Sequence, residues 1–258
     1  MFIVSALPLV EAAPGCTAVS SVDEAISLMS NIVAENVLLI CSDDEYSRAA
    51  QITREVLHSS NVAVVKVAGT ATQRLLVTRI LLSLPESDYG LAQQVADCAA
   101  QECRTRLALT SVAGLAVPVP TLPQHLRSFF PNASFVVDFP NNTVASEKEI
   151  VWSLNPNADS AIAQSERSGH LDVSVSGAEP VEVTETRGSS WRAREWVELS
   201  ELEPAYTILP RITSLLEKMH CRLCGRTLAG PECPFCGVTV MPSASSSRIE
   251  TSHEKVAL

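Results

Sequence analysis

The sequence predicts an α/β protein with a mostly parallel, Rossmann-like sheet flanked by helices, followed by a small carboxy-terminal module built on cysteines. Two observations predict this class. Over residues 1–140, short runs of β-branched and other apolar residues alternate with amphipathic runs, as in parallel sheets whose strands are joined by helices. Over residues 220–241, two CxxC pairs follow one another. The chain therefore divides into an α/β domain and a cysteine module.

The elements of the first domain follow from this alternation. Ser21 is placed to cap a helix whose first turn carries Asp23 and Glu24, and Thr70 is placed to start another. The predicted strands cover 2–7, 36–42, 61–68, 106–117 and 134–139. The predicted helices cover 21–34, 44–59, 70–85, 88–103 and 123–130.

Beyond residue 140 the periodic pattern is lost. Residues 141–190 are rich in Asn, Ser, Ala, Gly and acidic residues, which predicts an acidic, flexible insertion. Trp191 and Trp196 indicate that residues 191–219 return to the main core. The tail 242–258 has few apolar residues, which predicts disorder.

The cysteine module has the spacing of a zinc ribbon. Two residues separate the cysteines within each pair, and eight residues separate the pairs. A CxxC turn places two thiolates at the separation that tetrahedral zinc requires, and glycines at 225 and 237 let the backbone turn toward the sulfurs. Four protein ligands leave no position for water, so the predicted Zn²⁺ is structural. The predicted ligands are Cys221, Cys224, Cys233 and Cys236.

Charge limits the partners that this chain can have. The 19 basic and 29 acidic residues give a formal net charge of -10, which argues against nonspecific coating of nucleic acid. The net-basic stretch 205–240 contains Lys218, Arg222 and Arg226, which are the candidate nucleic-acid contacts. The apolar run near residues 61–84 is interrupted by charges, so we expect no membrane association.

The motifs of common enzyme classes are missing from the sequence. It contains no GxxxxGK[ST] loop, no GxGxxG after a strand, no HExxH and no GxSxG, which favours a non-catalytic protein and leaves enzyme activity uncertain. One enzymatic alternative is a site at the carboxyl edge of the sheet near Asp43 and Asp44. Four further cysteines in apolar contexts favour a reducing, cytoplasmic compartment.

The carboxy-terminal stretch LEPAYTILPRITSLLEKMHCRLCGRTLAGPECPFCG resembles the end of the cytoplasmic tRNA 2-thiolation protein 2 family. That family carries an α/β domain similar to ATP pyrophosphatases that has lost the catalytic SGGxDS loop, and this chain also lacks the loop. The chain is shorter than the family and has no amino-terminal zinc-binding element.

The resemblance implies a non-catalytic subunit of a cytosolic complex that thiolates the wobble uridine of tRNA. Such a subunit would act by assembly and tRNA positioning, beside an ATP-dependent tRNA-thiolating enzyme. A second interpretation from the residues alone is a zinc-ribbon protein-interaction or transcription/repair scaffold subunit on a non-catalytic α/β platform.

Overall fold

Four parallel strands form the first sheet of the computed structural model, in the order β2-β1-β3-β4. The structure describes residues 2–5, 16–19, 21–31, 36–42, 44–57, 60–165, 171–177, 179–183 and 191–239. The predicted tail 242–258 lies outside these residues. The strands are β1 (Phe2–Ser5), β2 (Cys16–Ala18), β3 (Val37–Cys41) and β4 (Val62–Lys66).

Helices α1 (Val22–Ser30) and α2 (Asp44–Val56) cover one face of this sheet. Alternate strand residues point to that face, and Val37 and Leu39 of β3 pack there against α1 and α2. The Ser21 side chain accepts a hydrogen bond from the backbone N–H of Glu24 at 3.1 Å, so the predicted cap of α1 is confirmed.

Three helices share one apolar cluster with strands of both sheets. These are α3 (Ala71–Leu82), a 3-10 helix (Glu86–Leu91) and α4 (Ala92–Glu102). Eight of the twelve residues of α3 are buried, because α3 packs against α4 and against strands of the second sheet. Thr70 and Gln73 form a capping box, as Thr70 predicts.

The second sheet has six strands in the order β11-β9-β12-β5-β6-β7. All neighbours are antiparallel except β11 and β9. Its strands are β5 (Arg104–Leu109), β6 (Phe135–Asp138), β7 (Thr143–Ser146), β9 (Asp159–Gln164), β11 (Val181–Val183) and β12 (Trp196–Leu202). Helix α5 (Leu122–Arg127) lies between β5 and β6 in the chain, and α6 (Ala205–Leu215) follows β12.

A two-stranded parallel ribbon packs on the outer face of the second sheet. It consists of β8 (Ile150–Ser153) and β10 (Val173–Ser176). Trp152 is 4% exposed and lies with Leu199 of β12 in one apolar cluster. The chain is thus a mixed α/β fold with two sheets and helices between them.

The expectation of a mostly parallel Rossmann-like sheet is corrected, because only the first sheet is parallel and the larger second sheet is mainly antiparallel. The alternation of strands and helices does not encode strand direction.

Five strands, β7 to β11, fall within 141–190, where the sequence predicts an insertion. They have three to six residues each, too few to produce a clear period. Residues 166–170, 178 and 184–190 of that stretch lie outside the described part of the chain.

A buried polar cluster joins α3 to the second sheet. Glu198 of β12 is 2% exposed, and its carboxylate accepts hydrogen bonds from the backbone N–H of Thr72 at 3.2 Å and from the Thr72 hydroxyl. Its other oxygen accepts from Trp191 Nε1 at 2.8 Å. The hydroxyls of Thr72 and Ser200 are 2.7 Å apart, and that of Thr105 is 2.7 Å from Ser200. A carboxylate at the amino end of a helix is electrostatically favourable.

Among the residues that the structure describes, no helix is long and apolar enough to span a membrane.

Candidate metal centre

Two short hairpins carry the four predicted ligands. In the first, β13 (Met219–His220) pairs with β14 (Thr227–Leu228), and in the second, Glu232 bridges to Thr239. Each CxxCG turn closes with a backbone hydrogen bond. Gly225 N–H donates to the carbonyl of Cys221 at 2.9 Å, and Gly237 N–H donates to that of Cys233 at 2.8 Å.

Both glycines have the left-handed backbone conformation that the sequence predicts. Gly225 has φ +73° and Gly237 has φ +68°. A side chain at either position would strain this conformation, so the glycines permit the turn that brings two sulfurs of a pair together.

The four sulfurs form one cluster. All four Sγ atoms lie within 4.8 Å of one another. Cys221 and Cys236 are separated by 3.5 Å between their Sγ atoms, and Cys224 and Cys233 by 3.6 Å. Zn–S bonds of about 2.3 Å in a tetrahedron place the sulfurs about 3.8 Å apart, so this arrangement is close to a thiolate metal site. The four cysteines can hold a metal ion.

The cluster has an uneven electrostatic environment. Burial acts to raise the pKa of Cys221, but hydrogen bonds from the backbone N–H groups of Cys224 and Leu223 and with the thiols of Cys236 and Cys224 together lower the pKa to about 7. Burial raises the pKa of Cys233 to about 12. Without a metal, Cys233 is therefore a protonated thiol at neutral pH, and a bound divalent cation would favour its thiolate form.

The module is packed into the main core of the protein. Leu228 and Phe235 are 0% and 3% exposed and belong to the same apolar cluster as β3, β4 and α4. The carbonyl of Pro234 accepts from the backbone N–H of Val64 in β4 at 3.0 Å. The same carbonyl accepts from Arg54 Nη1 of α2 at 3.1 Å. The second hairpin therefore lies along the outer edge of the first sheet.

The three basic candidates for nucleic-acid binding have different environments. Arg226 donates to Asn36 Oδ1 at 2.5 Å and to the carbonyl of Ser60 at 3.1 Å. Its guanidinium lies 3.8 Å from the ring centroid of Phe235, in a cation–π contact. Lys218 and Arg222 are exposed. Arg226 thus attaches the module to the first sheet.

β14 of the module lies very close to Gly90 of the 3-10 helix. A Cβ atom at Gly90 would overlap the carbonyl oxygen of Thr227 in β14, which is backbone and cannot rotate away. We expect Gly90→Ala to lower the free energy of unfolding by about 2 kcal/mol, measured by urea denaturation. The control is Gly230→Ala, whose Cβ would first meet the side-chain amide of Gln94. Since that amide can rotate, equal losses in the two variants would contradict the tight docking of β14.

A cavity that was not expected from the sequence lies at the carboxyl end of α4. It has a volume of about 600 Å³ and is lined by Glu102, Glu201 and Glu203, among others. Arg211 donates to Glu102 at 2.8 Å and to Glu203 at 2.8 Å, and Arg106 pairs with Glu201. All three carboxylates are engaged in ion pairs, and the partners of Glu102 and Glu201 lie about 100 positions away in the sequence.

Cys103 lines the same cavity without the properties of a nucleophile. Burial raises its pKa to about 11, against the effect of hydrogen bonds with Ser200 and Thr105. At neutral pH this thiol is protonated and therefore weakly reactive. The enzymatic alternative at the carboxyl edge of the sheet falls outside the described residues, since Asp43 and the side chain of Asp44 are not among them.

Comparisons with known proteins return structures of low similarity. No protein-family model matches the chain, and no curated protein matches it. A DegV family protein from Eubacterium eligens, loaded with heptadecanoic acid, is 11% identical with a TM-score of 0.47, covering 79% of this chain and 99% of that chain. The fatty acid kinase B3 protein of Streptococcus pneumoniae, loaded with linoleic acid, is 12% identical with a TM-score of 0.43, covering 78% and 98%. A DegV family protein from Corynebacterium glutamicum is also 12% identical with a TM-score of 0.43, covering 78% and 97%.

These findings correct the assignment to tRNA thiolation. The resemblance to the tRNA 2-thiolation protein 2 family is matched by no family model and no curated protein, and the three solved structures named above are DegV or fatty acid kinase proteins. The tRNA-thiolating partner enzyme and the tRNA partner are withdrawn with it. The resemblance depends on a cysteine element that recurs on unrelated folds. At this level of similarity the three structures assign no ligand to this chain.

Proposed function

We propose that the chain is a zinc-binding protein in which Zn²⁺ fixes the carboxy-terminal module on the α/β body. The proposal depends on one observation above all: four cysteine sulfurs lie within 4.8 Å of one another, at the point where the module meets the first sheet. Cys221, Cys224, Cys233 and Cys236 are the proposed ligands, and the two hairpins together are the proposed zinc-ribbon-like module.

A structural role fits the ligand set. Four thiolates complete a tetrahedral shell, and such a shell leaves no position for a water nucleophile. Cys221 and Cys233 are 2% and 0% exposed, which restricts solvent access to the metal. The contribution of the metal is therefore to folding and assembly.

The module is too small to fold by its own apolar core. Its buried apolar residues, such as Leu228 and Phe235, belong to the same apolar cluster as the body. Metal binding would hold the two CxxCG turns together and so present one continuous surface to β4 and the 3-10 helix. We retain as part of this proposal the division into an α/β domain and a module at 220–241.

Sulfur-only tetrahedral sites also bind iron, so the metal must be identified directly. We expect purified full-length protein, produced with zinc and iron both available, to contain one zinc per chain by elemental analysis. Cys224→Ser should abolish the metal content, whereas Cys98→Ser, a partly exposed cysteine outside the cluster, should leave it unchanged. Protein with no bound metal, or with equal metal loss in both variants, would contradict the proposal, and iron in place of zinc would correct its metal.

A further inference from the structure

A second surface, far from the cysteine cluster in the chain, carries an unusual concentration of exposed apolar side chains. Twelve large apolar residues are largely exposed among the residues that the structure describes, and six of these fall within 117–130. We call residues 117–130 the apolar face. Its exposed members are Val117, Val119, Leu122, Leu126, Phe129 and Phe130.

The geometry of α5 holds this face outward. Leu122, Leu126 and Phe129 are separated by four and three residues, so they lie on one side of the helix and its last turn. Polar side chains on the other side attach the segment to the body. Gln124 Nε2 donates to the carbonyl of Val144 at 2.7 Å, and the Ser128 hydroxyl accepts from the backbone N–H of Val112 at 3.0 Å.

The stretch before α5 also exposes its larger apolar side chains. Pro118 and Pro120 are buried. Val117, just before them, is 64% exposed, and Val119, between them, is 79% exposed. Phe129 is 80% exposed, so its ring projects from the surface and does not lie flat on it. Single exposed apolar residues are ordinary, but a clustered set of this kind indicates a binding surface.

The charges near the apolar face indicate the kind of partner that it binds. The chain has 29 acidic residues, yet residues 103–137 contain none. Arg127 lies within the apolar face and is exposed, and the side chain of Arg192 packs against Gly114 just before it. A strongly acidic protein thus presents a projecting apolar segment that contains no acidic residue of its own and includes the exposed Arg127.

We propose that the apolar face inserts into the interfacial region of a lipid membrane. Projecting Phe and Leu side chains beside basic residues are the features by which proteins lie on a bilayer without spanning it. The apolar side chains would supply most of the affinity, and Arg127 would add attraction to anionic headgroups. This proposal replaces the expectation of no membrane association, and it is independent of the proposed zinc site.

Vesicle flotation with the full-length protein tests this. We expect the protein to float with phosphatidylcholine vesicles, and more strongly when about one-third of the lipid is phosphatidylserine. Combined Phe129→Ala and Phe130→Ala substitution should lower the partition coefficient about tenfold or more for both vesicles, because two projecting rings no longer enter the bilayer. Arg127→Ala should lower it about fivefold for the anionic vesicles only.

The matched control replaces two equally exposed apolar residues elsewhere. Tyr206 and Leu215 of α6 are 81% and 78% exposed, and their combined replacement by Ala should leave flotation unchanged. All variants should retain the thermal unfolding temperature of the wild type, since the replaced side chains make few contacts. The proposal is overturned if the wild type floats with neither vesicle, or if both double variants lose binding equally. It is also overturned if sedimentation velocity shows that the apolar face joins two copies of the chain.

Discussion

Cys233→Ser lowers the free energy of unfolding by about 4 kcal/mol or more, in the result that we expect from urea denaturation followed by circular dichroism. Cys233 is completely buried at the contact between the module and the first sheet. Losing this thiolate would open the proposed tetrahedral shell, and the two CxxCG turns would then no longer be held together. The buried faces of Leu228 and Phe235 would lose their fixed position on the body.

A chelator provides the decisive comparison for Cys233→Ser. Metal removal should shift the wild-type unfolding curve to that of the variant, whereas the variant itself should not respond to the chelator. Cys98→Ser is the matched control and should behave as the wild type, since Cys98 is outside the cluster. An unfolding curve of the wild type that chelation leaves unchanged would show that the four cysteines stabilise the fold without metal.

Glu198→Ala should lower the free energy of unfolding by about 3 kcal/mol, because its buried hydrogen-bond donors lose their acceptor. The Thr72 backbone N–H, the Thr72 hydroxyl and Trp191 Nε1 all donate to this carboxylate. The loss falls at the amino end of α3, the helix that packs against β9 and β12 of the second sheet.

Glu198→Gln separates the hydrogen bonds from side-chain volume. The amide oxygen of Gln can still accept from Thr72, while its NH₂ group cannot accept from Trp191 Nε1. We therefore expect about half the loss that Glu198→Ala causes. Urea denaturation of both variants, with native circular dichroism spectra as the control for folding, provides the measurement. Losses of the same size in both variants would mean that the Trp191 contact, and not the Thr72 contacts, holds the cluster together.

Local patterns predict local structure well in this chain. Ser21 and Thr70 cap α1 and α3, and Gly225 and Gly237 take positive φ, as their positions in the sequence indicate. Each of these outcomes depends on residues within a few positions of one another. The spacing of the four cysteines is equally local within each pair, and it predicts the cluster that the two turns form.

Features that depend on distant pairing could not be predicted in the same way. The direction of β5 relative to β12 is set by contacts between residues about 90 positions apart, and no periodicity encodes it. Arg226 looks like a free basic residue in the sequence, yet its partners Asn36 and Ser60 lie far away in the chain. The strands in 141–190 are short, so their alternation is weak, and sheet pairing overrides the polar composition.

By holding Pro234 against β4, the module covers the outer edge of the first sheet, and this affects how the chain behaves in concentrated solution. β4 is the last strand of the first sheet, and its outer amides bond to the Pro234 carbonyl at Val64 and to Gln93 at Lys66. An uncovered outer strand is a template for strands of other molecules. If metal loss releases the module, the strand at Val64 becomes such a template, and metal supply would then decide whether this protein stays dispersed or assembles edge to edge.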